Sequence, residues 1–379
     1  MSVNFDNAAT TFPKPFSVRR TLVNAINLYG GNAGRGGHVL ANRTSEMVYN
    51  VREKVASFFD AKTENTIFCL NCTHALNTAI QGIVNKGDHV VISSVEHNSV
   101  FRPVVALAES GKIKYSIAQV YPDKEQTLSE FKKCIRPETK AIICTIASNV
   151  TGQVMPYKEI ASLCKENNIC MIADGAQACG VLPVKLSDGI NILCTAGHKG
   201  LYGITGTGIL ITDGKYPIRP LMQGGTGSVS AQPSQPDFLP DSLESGTQGI
   251  IGISTIKAGI EFIEEKTLDR IYIEETRLCN QFIKSLSEEN EVIIYRNDIC
   301  EYVPIVSFNI AGIEPETVAE ELNKDGFCLR AGLHCAPLAH QTLGTLSGTV
   351  RFAPSVFNNS REVFQLSNSI KKCVRKLKS

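Results

Sequence analysis

The sequence predicts an α/β protein in which a large, doubly wound, mostly parallel sheet is followed by a smaller α+β domain. Three observations carry this expectation. From about residue 65 to 212, short apolar β-branched runs alternate with stretches of helical period. The runs are close to continuously apolar, as strands of a parallel sheet covered on both faces require. After Gly249 the order changes, and two long helical stretches precede a mixture of short strands and helices.

In chain order, residues 1–25 are expected to form an N-terminal segment packing with the smaller domain. Residues 26–249 make the large domain, with strands at Thr66–Leu70, Asp88–Ser93, Lys112–Ala118, Lys140–Ala147, Ile169–Ala173, Ile190–Thr195 and Thr207–Thr212. Helical period fills Ala75–Val84, Val100–Glu109 and Tyr157–Glu166 between them. The passage from Gln223 to Pro240, rich in Gly, Pro, Ser and Gln, breaks the pattern and is expected to run over the surface. Residues 250–379 make the small domain. Helices at Ile250–Glu265 and Arg270–Leu286 lead to strands at Glu291–Tyr295 and Val303–Ile310. A helix near Pro315–Lys324 has its proline where a first helical turn tolerates one. Strands near Phe327–Arg330 and Thr349–Ala353 and a helix over about Ser360–Lys376 complete the domain.

Composition narrows the function. A chain of 379 residues suits two domains, or one large domain with a smaller lobe. With 38 basic against 37 acidic residues the net charge is +1, which argues against a nucleic-acid-binding field. No apolar run approaches the roughly 18–20 residues of a membrane helix. Met1 to Phe12 lacks a basic stretch followed by an apolar one, so no secretory signal is read there and a cytoplasmic location is expected. The 13 cysteines are odd in number and scattered, and several, such as Cys144 and Cys170, sit inside apolar runs as small hydrophobes. Cys69 and Cys72 have CxxC spacing without a second pair, so no metal site is expected.

Ligands of doubly wound sheets sit beyond the carboxyl ends of the strands, and four polar clusters fall just after expected strands. Asp174 follows Ile169–Ala173, ahead of Gly175, Ala176 and Gln177. It either faces the ligand crevice or caps the next helix. Ala196–Gly197–His198–Lys199–Gly200 follows Ile190–Thr195. Glycines permit close backbone approach to a ligand, and a desolvated lysine attacks carbonyls; the alternative is a solvated loop lysine. Asn71–Cys72–Thr73–His74 leads into a helix whose start, with a hydroxyl and free N–H groups, suits a phosphate, unless Thr73 is a plain cap. No P-loop and no dinucleotide fingerprint occurs in strand–helix context. Glu96–His97–Asn98 follows Asp88–Ser93, with His97 either structural or catalytic. In the small domain, Arg330–Ala331–Gly332–Leu333–His334–Cys335–Ala336–Pro337 places Cys335 in a loop where it is expected to be exposed. A lysine for a Schiff base, an acid for a pyridinium nitrogen and a hydroxyl-bearing helix start together describe a pyridoxal phosphate site.

The segments ADGAQACG, TAGHKGLYGITGTGIL, SVEHNSV, LESGT and LRAGLHCAPLAH resemble the class V aminotransferase family. More narrowly, they resemble its cysteine desulfurase/selenocysteine lyase branch, in the subgroup with an RxGxHCA loop. The likeness runs from FDNAATT to VRFAPSVFN, nearly the whole chain. It implies the type I pyridoxal-phosphate-dependent transferase fold, pyridoxal 5′-phosphate as cofactor, and a homodimer with active sites at the interface.

Through the resemblance, Lys199 is expected to bind the cofactor aldehyde, Asp174 the pyridine nitrogen and Gln177 the phenolic oxygen, with His97 stacked on the ring. Thr73 and His198 match phosphate contacts, and Thr247 matches one donated by the partner subunit. His74 is grouped with the cofactor residues, and Asn149 matches a polar residue on the substrate and cofactor side. Arg351 resembles the clamp for the substrate carboxylate, Arg330 the loop arginine and Arg35 one lent across the dimer. Cys335 resembles the sulfur-accepting nucleophile, assisted by His334 or Arg330. Four positions depart from the pattern. Ala196 replaces a frequent phosphate-binding Ser, whose contact is either lost or supplied by Thr195. His74 stands for a frequent acid, Cys72 for Thr and Leu333 for His.

The implied activity is removal of sulfur from L-cysteine to give L-alanine and a persulfide on Cys335. L-Selenocysteine is the alternative substrate, and a persulfide-acceptor protein a further partner. The competing readings are a class V aminotransferase or β-eliminating lyase, in which Cys335 is incidental, and a catalytically silent sulfur-relay scaffold.

Overall fold

Runs of Ile, Val and Cys with no polar face build the centre of the molecule, a computed structural model that describes residues 2–34 and 36–378. The chain opens with β1 (Val3–Asn4), α1 (Phe16–Leu28) and α2 (Val39–Phe58). Next come β2 (Thr66–Cys69), α3 (Cys72–Ile83), β3 (His89–Ser93), α4 (Asn98–Glu109), β4 (Lys114–Ala118) and α5 (Lys124–Cys134). They are followed by β5 (Thr139–Thr145), α6 (Tyr157–Glu166), β6 (Cys170–Asp174), β7 (Ile192–Ala196) and β8 (Gly208–Thr212). After an irregular passage come α7 (Ile250–Lys266), α8 (Leu268–Leu286), β9 (Val292–Ile294), β10 (Val306–Ile310) and α9 (Pro315–Lys324). The remaining elements are β11 (Phe327–Cys328), β12 (Arg330–Gly332), α10 (Pro337–Leu343), β13 (Thr349–Phe352) and α11 (Ser360–Lys378).

Seven strands form the large sheet in the order β2-β8-β7-β6-β5-β3-β4. Strands β3 to β7 run parallel, and β8 lies antiparallel to both β2 and β7. The sheet is therefore mixed. The link from β7 to β8, which carries His198 and Lys199, is too short to hold a crossover helix, so β8 returns antiparallel. Strands β3, β6, β7 and β8 are buried at every residue. One face packs Val91, Ile142, Met171 and Leu193 against α2, α6 and α7. The other packs Val90, Ile92, Ile143 and Ile172 against α3 and α4 through Leu76, Ile80, Val100 and Val104. Each such aliphatic side chain contributes about 1.5–3 kcal/mol on leaving water.

A four-stranded antiparallel sheet, β12-β13-β10-β9, forms the second layer system, covered by α8, α9 and α11. Phe282 and Phe352 stack across it with ring centroids 4.3 Å apart. The expected strand Phe327–Arg330 is two strands with different neighbours. β11 pairs in parallel with β1, Val3 opposite Phe327, whereas β12 pairs with β13. Phe5, just after β1, is buried in the same small core. No helix among the described residues is long and apolar enough to cross a membrane.

Candidate active site

A cavity opens at the carboxyl ends of β2, β3, β5, β6 and β7, where α3 and α4 begin. Thr73, His97, Asn149, Asp174, Gln177, His198 and Lys199, seven of the residues singled out above, line it together with Asn71, Cys72, Ser99, Thr145, Ala176 and Ala196. The start of α3 is set by its cap: Asn71 Oδ1 accepts from the His74 amide at 2.9 Å. The amides of Cys72 and Thr73 are among those a helix start leaves without an intrahelical partner. Gly208 on β8 allows this turn to sit close, since a Cβ there would lie 2.2 Å from the Asn71 carbonyl carbon.

A chain of hydroxyls and imidazole crosses from α3 to α4. Thr73 Oγ1 lies 2.7 Å from Ser99 Oγ, which lies 2.8 Å from His97 Nδ1. The Ser99 amide donates to the same Nδ1 at 3.0 Å, so His97 caps α4 while lining the cavity. Burial first, then the positive charges of Lys199, Arg330 and Arg351, push the His97 pKa down to about 4. The ring is neutral at neutral pH.

Asp174 is the last residue of β6 and is buried. Its Oδ1 accepts from the Ala176 amide at 2.9 Å and from the Cys72 thiol at 3.6 Å; a turn and not a helix follows β6, so Asp174 faces the cavity and caps no helix. Burial raises its pKa, while the Ala176 bond and the charge of Lys199 oppose that rise. Lys199 shows the converse: burial lowers its pKa, opposed by Cys72 and Asp174. The N-terminal segment fastens the loop bearing this lysine. The His198 carbonyl oxygen accepts from Lys14 Nζ at 2.7 Å, Thr10 Oγ1 at 3.1 Å and the Thr11 amide at 3.2 Å. Thr11 Oγ1 donates to the Lys199 carbonyl at 3.0 Å, and Gln177 Nε2 to the Ala8 carbonyl at 3.0 Å.

Several expected residues lie elsewhere. His74 Nδ1 accepts from the Leu70 amide at 3.2 Å, outside the cavity lining. Thr195 Oγ1 donates to the Gly175 carbonyl at 3.3 Å, so it does not replace the serine hydroxyl absent at Ala196. Thr247 is exposed and away from the cavity of its own chain. Arg35 lies outside the described residues.

Cys335 is the exposed member of 13 free cysteines. It lines an open groove shared with Thr73, His97 and Ser99, adjoining the cavity. The Asn98 amide donates to its carbonyl at 2.7 Å, and Arg330 Nη2 lies 3.3 Å from its Sγ. His334 does not assist the thiol. Its Nε2 lies 2.9 Å from the Thr349 carbonyl oxygen, and burial, then the charge of Arg351, pushes its pKa down to about 2. Behind this loop, Asn149 Nδ2 donates to the His334 carbonyl at 2.8 Å. The Arg351 guanidinium, fully buried, donates to the Asn149 carbonyl at 2.9 Å and to Asp6 Oδ1 at 2.8 Å. Sequence reasoning did not assign Ser99, Asp6, Thr10, Thr11 or Lys14. FDNAATT contained three of these five, Asp6, Thr10 and Thr11, without saying what they touch.

The cavity fits a phosphorylated pyridine aldehyde. His198 Nδ1 is buried without a partner among the described residues, beside a helix start that offers amides and a hydroxyl to an anion. In the same cavity a buried acid stands ready for a ring N–H, within electrostatic reach of a lysine whose ammonium burial disfavours.

Comparisons agree with that chemistry. The family profile of aminotransferase class-V matches residues 3–366. A probable cysteine desulfurase of Methanothermobacter thermautotrophicus is 30% identical over 375 residues, covering 96% of this chain and 93% of that protein. One of Halalkalibacterium halodurans is 30% identical, covering 98% and 92%. The apo structure of a cysteine desulfurase from Thermococcus onnurineus NA1 superposes with a TM-score of 0.90 at 28% identity, over 99% of this chain and 95% of that one.

Proposed function

The chain belongs to the class-V aminotransferase family, and on that premise we propose that it is a cysteine desulfurase whose sulfur acceptor is Cys335. Its fold is the type I pyridoxal-phosphate-dependent fold, and its cofactor is pyridoxal phosphate. One observation carries the desulfurase reading. The exposed thiol of Cys335 stands in a groove that shares Thr73, His97 and Ser99 with the lysine–aspartate cavity, beside the Arg330 guanidinium.

In this reading Thr73, His198 and the start of α3 hold the phosphate, Asp174 the ring nitrogen, Gln177 the phenolic oxygen and His97 a ring face. When bound, pyridoxal phosphate supplies an aldehyde that captures amines and an electron-poor ring that stabilises charge on the neighbouring carbon. Asp174, held by Ala176 and Cys72, presents its carboxyl to the cavity that Lys199 also lines. Lys199, whose burial favours the free amine, captures the aldehyde between turnovers and carries the substrate's Cα proton. Arg351, with Asn149 beside it, orients the substrate carboxylate. Arg330 places positive charge against Cys335 Sγ, the atom that must attack as an anion. That sulfur attacks the sulfur of cysteine: the substrate C–S bond breaks, an S–S bond forms, and the carbon takes a proton. L-Cysteine and one thiol become L-alanine and one persulfide, with no outside oxidant or reductant.

A homodimer completes the site. Phe16, Val23 and Ile26 of α1, Val39, Leu40 and Tyr49 of α2, and Met222 and Phe238 are exposed apolar side chains that a second copy would cover. Thr247 and Arg35 then serve the cavity of the other copy. The persulfide passes to an acceptor approaching over exposed Leu333 and Leu346. Thirteen free cysteines suit a reducing cytoplasm. The test is product analysis with cysteine and selenocysteine. Intact protein should release alanine and load one persulfide on Cys335, and Cys335→Ala should lose cysteine turnover. Pyruvate and ammonia in place of alanine would overturn the reading.

A further inference from the structure

Arg351 is 1% exposed, and a cation so deeply buried persists only where its charge is answered. Asp6 answers it, accepting from Nη2 at 2.8 Å, while Nη1 donates to the Asn149 carbonyl at 2.9 Å. The third nitrogen, Nε, is buried without a partner among the described residues. The guanidinium proposed to receive the substrate carboxylate is thus already shared with one carboxylate and keeps an N–H vacant. The backbone of Asp6 is held in place beside the guanidinium. It forms a bridge with Ala353, two residues along from Arg351, and flanking bonds fix it there: the Ala353 amide to the Phe5 carbonyl at 2.8 Å, and the Asn7 amide to the Ala353 carbonyl at 3.2 Å.

We propose that Asp6 is a specificity-determining residue that acts through Arg351, cancelling its charge so that the site takes zwitterionic amino acids and turns away carboxylate anions lacking the amino group. The inference rests on the reading of Arg351 as the carboxylate clamp. A zwitterion brings no net charge to the site and loses little to Asp6, because its ammonium end offsets the repulsion. A bare carboxylate meets a guanidinium already neutralised, and a second acid at hydrogen-bonding range.

The experiment measures binding of propionate, and of uncharged propionamide, to the cofactor-loaded protein by calorimetry, alongside inhibition of cysteine turnover. Asp6→Asn and Asp6→Ser should each bind propionate about tenfold more tightly, the effect of removing one unit charge beside a partly shielded cation. KM for cysteine should move less, propionamide should not respond, and Asp6→Glu, which keeps the charge, should restore rejection of propionate. A merely structural Asp6 would lower stability in all three variants without moving propionate relative to propionamide, and that result overturns the proposal. Arg351→Gln separates the two readings. If it loses carboxylate binding while the Asp6 variants bind propionate as the intact protein does, only the role of Asp6 falls. If it binds propionate unchanged, the clamp assignment falls and the proposal with it.

Discussion

Gly348→Ala should disable sulfur transfer while sparing the cofactor pocket. Gly348 has φ +97°, and a Cβ there would lie 2.4 Å from the Gly332 carbonyl carbon and 2.5 Å from its oxygen. Non-bonded carbons settle at about 3.5–4.0 Å, so β12 must retreat by about 1 Å. Gly332 closes β12 opposite Thr349, and the chain runs from it through Leu333 and His334 to Cys335. A displacement of about 1 Å in a group that must meet a reacting atom lowers turnover about hundredfold. Gly344→Ala is the control. Its φ is +69° with nothing within 4 Å of the added Cβ, so it bears only the left-handed backbone penalty of about 1–2 kcal/mol. Alanine release from cysteine, cofactor absorbance and the urea midpoint are measured on both variants. Gly348→Ala should keep its cofactor and lose turnover, and Gly344→Ala should lose only stability. Full turnover in Gly348→Ala, or equal loss of turnover in both, would refute the steric argument.

Lys199→Ala should abolish cysteine turnover, and borohydride treatment followed by peptide mass analysis should find a pyridoxyl adduct on Lys199 in the intact protein alone; an adduct on another lysine would defeat the assignment. Stability should bend with pH in two directions. His97 and His198, lowered to about 4, and His334, lowered to about 2, bind protons less readily folded than unfolded, so acidification below pH 6.5 destabilises the fold. Buried Glu96 and Glu275, raised to about 8, hold protons more firmly when folded, so their contribution is lost as pH rises from 4.5 through 8. Glu96→Gln should flatten that decline in urea midpoints, and an unchanged slope would contradict the protonated state of Glu96.

The central sheet strands were legible because they are apolar on both faces, unlike the edge strand β4 with its exposed Lys114, and α6 and α9 because their period marks a single buried side. Helices α1 and α2 were not. In α1 only Val18 and Ala25 are buried, while Val23, Ile26 and Leu28 face outward, so its apolar pattern does not mark the core-facing side. In α2, Val39 and Leu40 are exposed, and the buried face opens on the small residues Ala41 and Thr44, with large apolar side chains only from Met47. Lys199, Asp174 and His97 stood out because strand ends announce them, whereas the bond from Arg351 to Asp6 spans 345 positions and leaves no local signal. His334 misled by adjacency. Both His334 (φ +48°) and Cys335 (φ +57°) are left-handed, and the imidazole is buried while the thiol is exposed. Neighbours in sequence thus face different surroundings.

The place of β8 in the sheet governs how the molecule can be made. As the ribosome extrudes the chain, β2 has no hydrogen-bonding neighbour until β8 emerges, and β1 none until β11 does. The turn after β2, to which the proposed phosphate site is assigned, therefore waits, half assembled, through the synthesis of five intervening strands, the apolar edge of β2 open to misassociation. If that turn holds the cofactor as proposed, capture follows the closure, and a nascent chain released before β11 would lack the partner that seats its first strand.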